Sequence, residues 1–224
     1  LKGRDIGTSG SASFYVRSTD FWAENLTFEN AAGPVGQALA IWIGGDRVQF
    51  KNCRFLENQD TIYTGGRRQY FDHCYIEGTT DYIFGNSTAW FEQCELLCRK
   101  GGSYITAAST PDTVRYSYVF NRCHITGDAP VGSYYLGRPW RPNAKVVFLR
   151  CELGPHIRPA GWHNWGKSSN ESTAYYAEFA SAGSGATDAT QRVGWSHQLI
   201  KAQAQRYTPK NVLGDWKPAK SYPI

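Results

Sequence analysis

Val48-Gln49-Phe50-Lys51-Asn52-Cys53-Arg54-Phe55 recurs in altered form four more times along the chain. The later copies are Tyr70-Phe71-Asp72-His73-Cys74-Tyr75-Ile76, Trp90-Phe91-Glu92-Gln93-Cys94-Glu95-Leu96, Val119-Phe120-Asn121-Arg122-Cys123-His124-Ile125 and Val147-Phe148-Leu149-Arg150-Cys151-Glu152-Leu153. In each, Phe precedes Cys by three and an apolar residue follows it by two. Asn25-Leu26-Thr27-Phe28 is a degenerate earlier copy with Leu26 in the cysteine position. Positions 26, 53, 74, 94, 123 and 151 are 27, 21, 20, 29 and 28 residues apart, a period that marks a solenoid. Cys and the apolar residue two later share the parity of a strand with one buried face, whereas the Phe has the opposite parity. A corner must lie between them. We place it as a two-residue bend at Lys51-Asn52 and its equivalents, joining short strands that both face inward. Short strands, polar corners and coils of this length describe a parallel β-helix, and the Leu-x-x-Leu-x-Leu consensus of a leucine-rich repeat is absent.

Working outward from that frame, the cysteines stack inside, one per coil, as small buried hydrophobes with free thiols. No Cys-x-x-Cys pair of the zinc type occurs. The frame is lost after about Gly166, and Ser196 to Tyr207, with Leu199, Ile200, Ala202 and Ala204, reads as a helix covering the solenoid. No linker divides the 224 residues, so residues 1–224 are expected to form one domain. An aromatic share of 15% suggests flat surfaces on which sugars stack, as well as core. The net charge of +5 mildly favours an acidic partner. Nucleic acid is set aside, because Arg67-Arg68 and Arg99-Lys100 are isolated pairs without a recognition motif. No apolar run approaches the ~20 residues that span a bilayer.

Register turns the repeat into a map of candidate sites, since residues at equal offset in successive coils stack about 4.8 Å apart. Asp60 lies seven residues after Cys53 and Asp81 seven after Cys74. The same offset elsewhere holds Gly33, Gly101, Pro130 and Arg158, so Asp is no general turn preference there. Two stacked carboxylates resist joint ionisation, which suits a general acid beside a nucleophile or base. A pair of solvated turn aspartates is the plainer alternative. Gln37 and Gln59 favour chemistry, because neutral carboxamides donate to a developing oxyanion without repelling it. Arg138, in Leu136-Gly137-Arg138-Pro139-Trp140, is a candidate carboxylate clamp.

The runs Gly36-Gln37-Ala38-Leu39-Ala40, Gln59-Asp60-Thr61-Ile62-Tyr63, Asp81-Tyr82-Ile83-Phe84-Gly85 and Leu136-Gly137-Arg138-Pro139-Trp140 resemble, in order and interval, the four successive signatures of the pectin methylesterase family. Leu26-Thr27-Phe28-Glu29-Asn30 and Pro159-Ala160-Gly161-Trp162-His163-Asn164-Trp165 extend the likeness over nearly the whole chain. The resemblance implies a right-handed parallel β-helix, secreted to an extracellular or periplasmic space and monomeric, that releases methanol from homogalacturonan without metal or cofactor. It implies Asp81 as nucleophile, Asp60 as acid and then base, Arg138 as the group holding Asp81 ionised, and Gln37 and Gln59 as the oxyanion hole. It also places Tyr63, Phe84, Trp140 and Trp162 in the substrate cleft. Leu39 and Tyr82 depart mildly from the commoner Val and Phe. The family's amino-terminal Gly-x-Tyr-x-Glu signature and first coils have no counterpart, so the chain is expected to start within the solenoid.

Three rival readings remain on residues alone. A polygalacturonase-like glycoside hydrolase also uses carboxylates about 5 Å apart, but the two carboxamides speak against it. A pectate lyase needs a calcium-binding carboxylate cluster, for which no local group of Asp and Glu is available. A non-catalytic pectin-binding β-helix would not need Asp60, Asp81 and Arg138 together. No Gly-x-Ser-x-Gly elbow marks a serine esterase.

Overall fold

The computed structural model describes residues 6–186 and 189–219. Its strands pair in parallel into three sheets of six, eight and six strands that the chain visits in turn, forming a right-handed parallel β-helix. The sheet carrying Phe14–Val16, Ile41–Ile43, Ile62–Thr64, Thr80–Gly85, Tyr104–Ala108 and Tyr135–Gly137 is here called the front sheet.

The Phe-Cys frame builds the interior of the second and third sheets. Phe50, Phe71, Phe91, Phe120 and Phe148 stand opposite one another in register, with successive ring centroids 5.2, 4.5, 4.4 and 4.5 Å apart. On the third sheet Phe28, Phe55, Ile76, Leu96, Ile125 and Leu153 form the matching inward row. All six cysteines are buried with free thiols. Each frame thiol donates to a main-chain carbonyl of the preceding coil, as Cys94 does to Phe71 (3.5 Å) and Cys151 to Phe120 (3.5 Å).

The corner falls one residue later than the spacing predicts, because Lys51 still pairs as strand and the turn begins at Asn52. Asn25, Asn52, His73, Gln93, Arg122 and Arg150 all adopt left-handed φ values between 50° and 58°. That conformation costs a non-glycine residue roughly 1–2 kcal/mol. It is offset by a ladder of hydrogen bonds, since each of these N–H groups donates to a carbonyl of the following coil at 2.7 to 3.0 Å.

The loss of the frame after Gly166 is corrected by the structure. Tyr175–Phe179 pairs with Lys145–Leu149, Ala180 takes the left-handed corner (φ 51°), and Ser181 follows it where a cysteine would stand. The coil escaped notice because Glu178 faces Phe148 in the phenylalanine row. Buried Glu178 is neutralised by buried Arg192, which donates to both of its oxygens at 2.7 and 3.2 Å. The expected helix shrinks to Lys201–Ala204, and a second helix, Pro209–Leu213, joins it. Leu199, Ala204, Val212 and Leu213 cover Trp90, Val119, Val147 and Ala177 on the outside of the second sheet. Ile200 faces solvent. Among the described residues no helix is long and apolar enough to cross a membrane.

Candidate active site

Two rows of the front sheet decide which side chains meet a ligand. The inward row runs Ile41, Ile62, Ile83, Thr106 and Gly137; the outward row runs Tyr15, Trp42, Tyr63, Phe84 and Ala107. Neighbouring outward rings touch, with centroids 5.7 Å apart for Trp42 and Tyr63 and 5.2 Å for Tyr63 and Phe84. Phe84 meets Trp140 at 5.8 Å. Tyr63, Phe84 and Ala107 of this row, with Trp140, floor a cleft of about 520 Å³ lined also by Gln37, Gln59, Asp60, Asp81, Arg138 and Trp165, among others.

The stacking of the two aspartates follows from main-chain pairing. Gln59 bridges both Gln37 and Thr80 in parallel, and the Asp60 N–H donates to Thr80 O at 3.0 Å. Asp60 and Asp81 are thus the next residues along two neighbouring strands, both left-handed (φ 68° and 51°) and both lining the cleft. The pairing of Thr80–Gly85 with Tyr104–Ala108 shifts between Thr80 and Ile83. Such a bulge re-aims side chains. Here Tyr82 and Ile83 both enter the core while Asp81 faces the cleft.

Arg138 grips Asp81 with two hydrogen bonds, Nε to Oδ1 at 3.0 Å and Nη2 to Oδ2 at 2.7 Å. Its guanidinium lies between two rings, 3.8 Å from the centroid of Tyr104 and 3.8 Å from that of Trp165. Gly137, in the inward row, leaves room for its neighbour, because a Cβ there would fall 2.0 Å from Thr106 Oγ1. With its carbon held between π faces and its edge on a carboxylate, Arg138 has little freedom to turn.

Burial first, then the charge of Asp81, push the Asp60 carboxyl well above the ordinary carboxylate range, against the pull of Arg138 and a hydrogen bond from Gln37. Burial also raises Asp81, and the Arg138 bonds only partly offset it. On Asp81 the pull of the cation is thus outweighed by desolvation. Glu57 adds to the repulsion on Asp60. It is itself buried, with Oε1 unpartnered and its carboxyl pushed up to about 7 by burial.

Gln37, Gln59, Asp60, Asp81, Arg138, Tyr63, Phe84 and Trp140 come together as the sequence predicts. Trp162 does not. It pairs with Gly137 and so continues the inward row, 1% exposed, packed on Phe148 and Tyr176 at 5.8 and 4.6 Å. Trp165, three residues on and left-handed (φ 63°), occupies the cleft instead. Sequence reasoning also missed Thr8, whose hydroxyl donates to Gln37 Oε1 at 2.9 Å from a 3-10 turn outside the repeat. Tyr104 was missed as well; its position two residues before Thr106 carries no motif. Among the described residues no group of three or more His, Cys, Asp or Glu is placed to hold a metal ion.

Comparison with known proteins points the same way. The chain is 46% identical to Pectinesterase 31 of Arabidopsis thaliana over 203 residues, 90% of this chain and 63% of that protein. It thus spans less than two thirds of the curated relatives it matches. Pectin methylesterase from carrot superposes with a TM-score of 0.90 at 31% identity, over 100% of this chain and 76% of the other. A pectin methylesterase mutant solved in complex with a hexasaccharide gives 0.84 at 32% identity, over 96% and 76%. The sequence profile named Pectinesterase matches residues 2–215, so the chain belongs to the pectinesterase family.

Proposed function

We propose that this protein hydrolyses the C6 methyl esters of homogalacturonan, releasing methanol and pectate, with Asp81 as nucleophile and Asp60 as acid and then base. The observation that carries this reading is the asymmetry of the carboxyl pair. Asp81 is gripped edge-on by Arg138, whereas Asp60, deeper in repulsion, favours its proton. An anion held in place beside a neutral acid is the resting state that acyl transfer needs.

In the first half-reaction an Asp81 oxygen attacks the ester carbonyl carbon. The charge that develops on the carbonyl oxygen is met by the amides of Gln37 and Gln59. The intermediate collapses as Asp60 gives its proton to the departing methoxide, leaving methanol and an acyl-Asp81 anhydride. In the second half, the Asp60 carboxylate takes a proton from water, the hydroxide attacks the acyl carbon, and the uronic acid leaves with Asp81 restored. Arg138 keeps the Asp81 oxygens directed at the cleft throughout. Tyr63, Phe84, Trp140 and Trp165 offer apolar faces to the pyranose rings.

The deciding experiment measures methanol release from esterified pectin beside assays for new reducing ends and unsaturated products. Methanol alone is expected, and its rate should survive EDTA, because every proposed role is filled by a side chain. New reducing ends without methanol would install a glycoside hydrolase instead, and unsaturated products that require added calcium would install a lyase.

A further inference from the structure

Outside the cleft, the cover on the second sheet leaves a hollow of about 270 Å³ beside the first residues of Lys145–Leu149 and Tyr175–Phe179. Three cations, Arg115, Lys145 and Arg206, and three phenols, Tyr116, Tyr175 and Tyr207, line it with Gln203; no carboxylate does. Asp112 acts on Lys145 electrostatically from outside this lining. Arg47, Arg68, Arg99, Arg138 and Arg192 each have an acidic partner, but Arg115 and Arg206 have none among the described residues. The Arg115 guanidinium lies 5.2 Å from the centroid of Tyr116, which meets Tyr207 edge to face at 5.6 Å.

The hollow is tied to the cleft by a short stretch of backbone. Lys145 lies seven positions after Arg138, and a chain rises at most about 3.6 Å per residue, so the hollow's rim begins within roughly 25 Å of the Asp81 clamp. Arg141 lies on that stretch, exposed, with its guanidinium 5.0 Å from the Trp140 ring. Arg141 and the rim of the hollow thus both lie within that reach of the clamp.

We propose that this hollow is a second carbohydrate site, which binds the de-esterified, carboxylate-bearing stretch of a galacturonan chain. The choice of ligand rests on the function proposed above. Each free uronate carries a negative charge beside an apolar ring face, and the lining answers both with Arg115 and Arg206, which have no acidic partner among the described residues, and with phenol rings; Lys145 donates to the Val114 carbonyl. A methyl-esterified stretch lacks the charge and gains little there. The site thus favours the product of the cleft over its substrate.

The test is hydrogen exchange by mass spectrometry on the whole protein, with trigalacturonate as free acid, and with its trimethyl ester on Asp81→Asn, which leaves the ester intact. The free acid should slow exchange in residues 112–118 and 201–207 at least about 3-fold, and the ester should not. Arg115→Gln with Arg206→Gln should abolish this protection while changing methanol release from a short methyl-ester oligomer less than 2-fold. Absence of protection, persistence of protection in the double variant, or equal protection by polyglutamate would overturn the proposal. Exchange does not depend on turnover, so a protein that protects these segments but releases no methanol would count against the proposed activity alone.

Discussion

Two carboxylate–arginine pairs, one fully and one partly buried, sit on one solenoid and differ in what surrounds them. Glu178 and Arg192 have side chains 2% and 3% exposed, and the remaining Arg192 donors are taken by the carbonyls of Arg158, Pro159 and Gly185. Asp81 and Arg138 are 9% and 19% exposed; Arg138 is covered by rings on its faces, and the carboxylate borders a cleft holding a second acid. In the first pair the Arg192 donors are all taken inside the protein and neither side chain borders the cleft, so the pair holds the fold. The second lines the cleft, so a ligand there can meet its carboxylate, which is what a nucleophile requires. Pairing alone does not separate structure from chemistry; residual capacity and access do.

The sharpest test of the open pair is chemical. Asp81→Asn removes the proposed anionic nucleophile, so methanol release should fall to background. Asp60→Asn keeps it and loses proton delivery, a loss of about 10² to 10⁴ in rate. Asp60→Asn should recover in part on an ester whose leaving alcohol is more acidic than methanol. Recovery by Asp81→Asn instead would reverse the two roles.

Removing the arginines should separate the pairs. Arg192→Met leaves Glu178 buried without its partner, a cost of about 3–5 kcal/mol in urea unfolding, and Glu178→Leu in the same chain should restore most of it. Arg138→Met should cost less stability, since Asp81 can be protonated at the cleft, yet lower kcat by at least about 10². Equal losses of stability in the two variants would break the comparison.

A smaller effect tests the ring sandwich. Tyr104→Leu uncovers one face of the Arg138 guanidinium, an interaction of about 0.5–2 kcal/mol. On that basis kcat should fall by about 2- to 30-fold with KM little changed, and Tyr104→Phe should retain most of the activity. A change in KM alone would mean that Tyr104 serves substrate contact, not the clamp.

The smallest effect concerns the folding cost of the second acid. The Asp60 pKa is raised in the folded state by burial and Asp81, while an unfolded aspartate titrates near 3.9. Between those values the folded chain binds more protons, so this group's contribution falls as pH rises. Asp60→Asn escapes that loss. Its Tm should exceed the parent's by about 2–4 °C at pH 7 and match it near pH 3. A lower Tm at pH 7 would show that hydrogen bonds to the anion outweigh its desolvation.

The repeat was legible because Phe at minus three and Cys at zero serve only the interior, where identical rows stack on themselves. Asp60 and Asp81 were legible for the same reason, since equal offset from that frame places them on neighbouring coils. The last coil was hidden because its phenylalanine position holds Glu178, a residue that makes sense only beside Arg192, fourteen residues later.

What the sequence determined by itself is therefore the winding, its register and which polar groups share the cleft, all of which depend on periodicity and residue chemistry. Direction was decided by tertiary structure. The register of Gly137 turns Trp162 inward, and a left-handed residue turns Trp165 out toward Arg138. A bulge faces Asp81 to the cleft, and a turn outside the repeat brings Thr8 to Gln37. A one-residue shift in a strand exchanges its two faces. Composition does not encode such shifts, because the neighbouring coil that sets them is 20 to 30 residues away.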